Sequence, residues 1–390
     1  MPPIRLNRRR FLGCSAAAGL ALSQGRVSEG GVEAAPVRLG VIGLGTRGTT
    51  LLRTLLELPA TQIVAVCDRE PKHRLRGLGI VEKAKGSRPE GYERATQLLE
   101  RTDIDAVAIA LPCDLHASIN HEAMKAGKHV YAEKPLALTL AECDSLLAES
   151  AKSPELVVHV GYQRRSNPRY RAGVELIHQG ELGNPLTGHS VWLSSNGPMN
   201  GHEDWLACRA RSGDWMVEQA VHVWDVFNWL ASEPPVRASG RGRRDLFHTE
   251  QPDRDVTDHY SAELEWANGF HVSFMHTWVA PPDERFTGVT LQVMGDAGGI
   301  DFSSGAVTFR DRGRPRQTIH PGNQPDTKLA LQAFLDAVQA ESSSTPPPLS
   351  LAEARDATLT GLLVRKAVDE RRVVTMEEIR GEVGPAKGIV

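Results

Sequence analysis

Residues 37–48 read Val37-Arg38-Leu39-Gly40-Val41-Ile42-Gly43-Leu44-Gly45-Thr46-Arg47-Gly48, and this stretch decides the fold. Its first six residues are a short, largely apolar run, the pattern of a strand buried on both faces. Three glycines follow in G-x-G-x-x-G spacing, and then Leu51, Leu52, Leu55 and Leu56 recur at helical intervals. In such a strand–turn–helix unit Gly43 permits the tight turn, Gly45 lets backbone amides approach a pyrophosphate, and Gly48 lets the helix pack close to the strand. The helix start offers free N–H groups and partial positive charge to phosphates. Many glycine turns bind nothing, so the flanking residues decide between a binding turn and a plain one.

Outward from the turn, Gln62 to Cys67 is a second strand-like run ending at Asp68, twenty residues after Gly48. A carboxylate there accepts hydrogen bonds from an adenosine ribose and repels a 2′-phosphate, which favours NAD. Arg69 beside it keeps NADP open, because a guanidinium pairs with that phosphate. A solvated turn is the structural alternative for Asp68. A third run, Ala106 to Leu111, ends at Pro112 and leads into a helical pattern through His116, Ile119 and Met124 that stops at Gly127. A fourth strand, His129 to Ala132, leads into Glu133-Lys134-Pro135. Alternating strands and helices of this length predict an α/β chain whose N-terminal part is a doubly wound parallel Rossmann sheet. Ligands bind such sheets beyond the carboxyl ends of the strands, where Asp68, Pro112 and Lys134 all fall.

From about Gly161 the pattern changes. Ser212 to Asp225 opens a predicted helix running to about Leu230, with Glu218, His222 and Asp225 on one side of it. Val217, Val221, Trp224 and Phe227 or Asn228 turn toward a core. Tyr260 to Trp266 and Phe270 to Thr277 alternate around Asn268-Gly269, a strong hairpin signal. With Val289 to Met294 and Ala306 to Arg310 they predict an α+β second domain with a mostly antiparallel sheet and one helical face. Helical segments at Lys328 to Glu341 and Leu351 to Asp369 flank a Ser/Pro-rich linker at 342–348.

The chain has 390 residues, 41% of them hydrophobic and 24% charged, which allows two or three domains with ample core. That composition excludes a disordered chain, a collagen-like repeat and a multi-span membrane protein. With 45 Lys+Arg against 48 Asp+Glu there is no basic footprint for nucleic acid. The five cysteines form no C-x-x-C pair, so no disulfide framework is expected. His202, Glu203 and Asp204 resemble metal ligands in type, yet without a spaced partner cluster no metal is assigned.

At the N-terminus Arg8 and Arg9, then Phe11 and Leu12, resemble a twin-arginine export signal. The apolar stretch behind them is about a dozen residues, short of the ~20 a membrane span needs. The expected organisation is a signal peptide at 1–35, a nucleotide-binding Rossmann domain at 36–160, a substrate-binding and oligomerisation domain at 161–375 and a tail at 376–390. The expected location is periplasmic, with no integral membrane span in the mature chain.

These residues together resemble the Gfo/Idh/MocA oxidoreductases over about residues 36–375. The matching stretches are 41–48, Ala-Leu-Pro-Cys-Asp-Leu-His at 110–116, Ala-Gly-Lys-His-Val-Tyr-Ala-Glu-Lys-Pro at 126–135, Gly-Tyr-Gln-Arg-Arg at 161–165, and the helix with Glu218, His222 and Asp225. The Glu-Lys-Pro element is the specific one. The resemblance implies that Lys134 lies beside the nicotinamide and the substrate hydroxyl, and that Glu218 and His222 take the places of the family's acidic residue and the histidine four later. Many members carry Asp in the first of these, so Glu218 is a departure.

The implied NAD-binding set is Gly43, Gly45, Thr46, Arg47, Gly48, Asp68, Arg69, Pro112, His116, Glu133 and Lys134. Tyr162, Gln163, Arg164 and Arg165 are candidates for substrate hydroxyls or a substrate anion, or else serve the domain junction. A homo-oligomer through an exposed sheet face is expected, as in relatives.

The expected chemistry is hydride transfer between NAD(P) and a secondary hydroxyl of a sugar, polyol or related cyclic alcohol. His222, with a reference pKa of about 6.5, suits the base. Glu218 would orient its ring, and Lys134 would stabilise alkoxide charge. One alternative is a glycoside-cleaving enzyme that retains NAD and works through a transient keto-sugar. Another is a non-catalytic sugar-binding protein on the same fold.

Overall fold

In the computed structural model, which describes residues 35–199, 201–322, 325–340 and 349–381, the opening strand runs Val37–Ile42 (β1) and stops where Gly43 takes a φ of +86°. Helix α1 (Thr46–Leu56) follows and buries Leu51, Leu52 and Leu55. Next come β2 (Thr61–Cys67), α2 (Pro71–Lys85), β3 (Glu90–Tyr92), α3 (Ala95–Leu99), β4 (Ala106–Ile109), α4 (His116–Lys125), β5 (His129–Ala132), α5 (Leu140–Ser150) and β6 (Val158–Val160). The six strands pair in parallel in the order β3-β2-β1-β4-β5-β6, the doubly wound arrangement expected. All four residues of β4 are buried, as a strand covered on both faces requires.

The second half contains α6 (Pro168–His178), β7 (Pro185–Leu193), α7 (Arg209–Ser212), α8 (Trp215–Glu218), α9 (Val221–Ala231), β8 (Arg237–Arg243), β9 (His259–Glu265), β10 (His271–Thr277), β11 (Gly288–Gly295), β12 (Gly298–Asp301), β13 (Ala306–Phe309) and β14 (Gln317–Thr318). After these come α10 (Asp326–Gln339), α11 (Leu351–Glu370), β15 (Val374–Thr375) and α12 (Met376–Gly381). Nine strands form one sheet, ordered β14-β13-β12-β11-β7-β10-β9-β8-β15. Its pairings are antiparallel except β7 with β10, so the mostly antiparallel sheet is present. The β9–β10 turn closes at Asn268-Gly269, with Gly269 at φ +85°.

Helices cover one face of this sheet. Trp224 and Phe227 of α9 are fully buried, and Gly188 lies so close to Phe227 that a Cβ there would come within 2.7 Å of its ring. The other face exposes Met275 and Met294, which alternate with the buried Phe274, His276 and Val293 along β10 and β11.

Two expectations need correction. The single helix predicted from 212 is three short pieces. Gly213 and Asp214 both take positive φ, and the Asp214 carboxylate caps Trp215 N while bonding Thr257 and Arg209. A second break falls at Gln219. In addition, the 160/161 boundary is crossed: α10 packs back on the first sheet, burying Ala330, Leu331, Phe334 and Leu335 among Val37, Leu39, Leu52 and Tyr131. Its apolar face matches the uncovered side of β1 and β5, which sequence distance conceals. Of the signal peptide expected at 1–35 all but residue 35, the expected linker at 342–348 and residues 382–390 of the expected tail at 376–390 lie outside the described residues. Among the described residues no helix is long and apolar enough to cross a membrane.

Candidate active site

The carboxyl ends of β1, β2, β4 and β5 open into a cavity of about 1000 Å³. That is the upper end of the range for small-molecule sites. The glycine turn forms one wall. A Cβ on Gly43 would meet Ala110 O at 2.2 Å, and one on Gly48 would meet Gly43 O at 1.9 Å, so neither position admits a side chain. A Cβ on Gly45 meets nothing within 4 Å, because open space lies in front of it. No side chain caps the start of α1. Its first amides therefore stay available to phosphate oxygens.

At the end of β2 the Asp68 carboxylate accepts from Leu44 N at 2.7 Å and from Glu70 N at 2.8 Å. Each oxygen keeps a lone pair for a ribose hydroxyl. Open space before Gly45, uncapped amides and an oriented carboxylate fit a dinucleotide.

Gly43, Gly45, Thr46, Arg47, Asp68, Arg69, Pro112, Glu133 and Lys134 line the cavity; Gly48 and His116 do not. Gly48 acts through the close approach just described. His116 is buried, with Nδ1 2.7 Å from Pro135 O and Nε2 2.9 Å from Leu111 O. It ties together the loops after β4 and β5 from outside the cavity lining. Arg47 gives each of its guanidinium nitrogens to protein: Glu133 at 2.7 Å, and Gln163 and Thr327 at 3.0 Å. It joins α1, β5 and α10 at the cavity wall.

At the far end Lys134 Nζ donates to Glu218 Oε1 at 2.7 Å and to Glu218 O at 2.5 Å. Burial would lower the Lys134 pKa, but Glu218 outweighs it and the ammonium is held above its ordinary value. His222 lines the same cavity. Its ring lies between Tyr162, 6.3 Å away edge-on, and Trp192, 6.4 Å away. Neither ring nitrogen has a hydrogen-bond partner among the described residues. Burial, then the positive charges of Lys134, Arg164 and Arg47, push His222 well below 6.5, so the imidazole is neutral near pH 7.

The sequence pattern paired Glu218 with His222, whereas the helix break turns the carboxylate to Lys134; packing, not Glu218, orients the His222 ring.

Of the four candidate substrate contacts only Gln163 lines the cavity. Tyr162 is buried in the core at 1% exposure. Arg165 is buried too, bonded to Asp225 at 2.8 Å and to Glu353 at 2.9 Å, which makes it a brace from the loop after β6 to α9 and α11. Arg164 stacks near Trp192 and Tyr170 and donates to His222 O at 3.0 Å. Trp215 and Trp224 are core residues, while Trp205 lines the cavity. His202 and Glu203 face Glu70 and Arg69 across its rim. Arg76, Met199 and Arg211 also line it, and no sequence spacing distinguishes them from ordinary surface residues.

Two family models match the chain. One, described as the oxidoreductase family with an NAD-binding Rossmann fold, covers residues 37–162, and the C-terminal domain model of the same family covers 170–301. A myo-inositol 2-dehydrogenase of Thermotoga maritima is 25% identical over 366 residues, 88% of this chain and 100% of its own length. An inositol 2-dehydrogenase of Saccharopolyspora erythraea is 34% identical over 206 residues, 52% of this chain and 56% of that protein. A glycosyl hydrolase family 109 protein of Bacteroides thetaiotaomicron is 43% identical, but over only 121 residues, 30% of this chain and 26% of that protein. Among solved structures, scyllo-inositol dehydrogenase of Lactobacillus casei with bound NAD(H) and scyllo-inositol superposes at a TM-score of 0.71. It is 18% identical, and the match covers 88% of this chain and 99% of the other, so the likeness is one of fold.

Proposed function

The chain belongs to the Gfo/Idh/MocA family of NAD-binding oxidoreductases, and from that premise we propose that it moves a hydride between NAD and a secondary hydroxyl of a polyol, sugar or related cyclic alcohol. One observation carries the reading: a charged lysine and a neutral histidine with an unpartnered ring nitrogen line the same cavity as the glycine turn. Bound NAD supplies the hydride acceptor. His222 takes the hydroxyl proton on its free ring nitrogen. The Lys134 ammonium donates to the carbinol oxygen and stabilises negative charge that develops there. Glu218 keeps that ammonium charged and aimed. Asp68 holds the ribose and Arg47 braces the wall.

The test begins with mass spectrometry of the denatured protein for co-purified NAD. A panel of inositols and sugars, read at the nicotinamide absorbance, then seeks turnover. Turnover abolished by Lys134→Ala supports the reading; a turned-over substrate indifferent to Lys134→Ala and His222→Ala overturns it. The stretch shared with the glycosyl hydrolase relative favours a second reading, glycoside cleavage through a transient keto-sugar. That enzyme would release product from a glycoside without accumulating NADH.

Two further parts of the proposal rest on surface and sequence. Met275 and Met294 on the open sheet face support a homo-oligomer formed by pairing those faces. Arg8 and Arg9 ahead of Phe11 and Leu12 support export by the twin-arginine route to the periplasm.

A further inference from the structure

In an unbroken helix the Glu218 carbonyl would accept the His222 N–H, four residues on. Here His222 N donates to Gln219 O at 3.3 Å and Val223 N to Ala220 O at 2.8 Å. The Glu218 carbonyl is thereby released to accept from Lys134. The break falls at Gln219, whose φ of −111° is stretched well beyond the helical value of about −63° while its ψ of −50° stays in the right-handed helical region.

Gln219 is itself held by an unusual partner. His276 of β10 is 1% exposed, with the rings of Trp192, Trp215, Tyr260, Phe274 and Trp278 5.4–6.4 Å from its own. Its hydrogen bond runs from Nε2 to Gln219 Oε1 at 2.7 Å. Burial alone pushes its pKa down to about 3, so the ring is neutral and Nε2 carries the proton. A phenylalanine would fill such a bed without a polar group to desolvate. What the imidazole contributes is its grip on Gln219.

We propose that His276 and Gln219 are a positioning pair for the reaction proposed above: by pinning the break between α8 and α9 they keep the Glu218 carbonyl out of the helix and, with its carboxylate, on Lys134. Neither residue touches the reacting atoms. The pair sets where the ammonium sits relative to His222.

The test compares His276→Phe, Gln219→Leu, the double variant and His276→Gln, which restores an N–H donor. Each is checked for fold by melting temperature and for NADH binding by fluorescence titration. Trace acylation of Lys134 across pH, read by mass spectrometry, reports the titration of that amine and needs no substrate; Glu218, Cys113, Glu133, His222 and His116 are the titratable groups around it. The expected result is a Lys134 midpoint lower by about half a unit or more in either single variant. The turnover number should fall about tenfold or more with NADH affinity unchanged. The double variant should be no worse than the worse single one, and His276→Gln should recover most of the loss. An unmoved Lys134 midpoint in folded Gln219→Leu or His276→Phe overturns the proposal, as do losses that add in the double variant. A shifted midpoint in a protein that turns over no polyol would uphold the pair and fail the substrate reading instead.

Discussion

One residue holds the Lys134 ammonium twice, Glu218 with its side-chain carboxylate at 2.7 Å and with its backbone carbonyl at 2.5 Å. Side-chain exposures of 13% and 14% keep this contact largely from water, where a charged hydrogen bond is strong. Lys134→Ala is expected to lower the turnover number by about 10²–10³-fold, the cost of one well-placed donor to developing negative charge. Glu218→Gln keeps the carbonyl contact and should cost less. Steady-state kinetics on the substrate found in the panel checks both.

His222 is held neutral well below 6.5 by burial and by neighbouring cations. A base with a depressed pKa stays competent as pH falls, so kcat/KM should show no acid limb near 6.5 and should decline only well below it. His222→Asn should lower activity by about 10²–10⁴-fold. A pH–rate profile with an inflection at 6.5 that survives in His222→Asn would assign the proton elsewhere.

Asp68 accepts two backbone amides and keeps lone pairs toward the cavity. Asp68→Ala should weaken NAD binding by about 1.5–3 kcal/mol, the worth of a hydrogen bond to a charged group. NADP binding should weaken less or improve, since the repelling carboxylate is gone. Calorimetric titration with both nucleotides measures the difference, and a preference unchanged between them would deny Asp68 its ribose role.

Arg165 and Asp225, with side chains 3% and 0% exposed, are a buried ion pair joining the loop after β6 to α9. Asp225→Ala leaves the guanidinium with only the half-exposed Glu353 and is expected to cost about 3–5 kcal/mol of stability. Chemical denaturation of the two proteins reads that loss, while NADH binding by the folded variant should remain.

What could be read from the sequence was whatever sits close along the chain. The glycine turn, Asp68 and the strand ending at Lys134 are local patterns with fixed spacing, and the structure brings them to one cavity. The glycine hairpin at 268–269 belongs to the same class. Long-range partners were hidden. Nothing near His116 says that its two nitrogens meet the carbonyls of Leu111 and Pro135. Glu218 and His222 stand at helical spacing, yet the helix breaks at Gln219, whose side chain is held by a residue fifty-seven positions away. Arg164 and Arg165 are identical in type and adjacent, but only the second is drawn into the core, by a carboxylate sixty residues on.

The return of α10 to the first sheet has a consequence for biosynthesis. Phe334 and its neighbours close a surface that β5 presents about two hundred and β1 nearly three hundred residues earlier, so the nascent nucleotide-binding half emerges from the ribosome with one flank bare. A fragment ending at 160 should expose that flank and aggregate or recruit a holdase, and only a chain elongated past Gln339 should become resistant to protease.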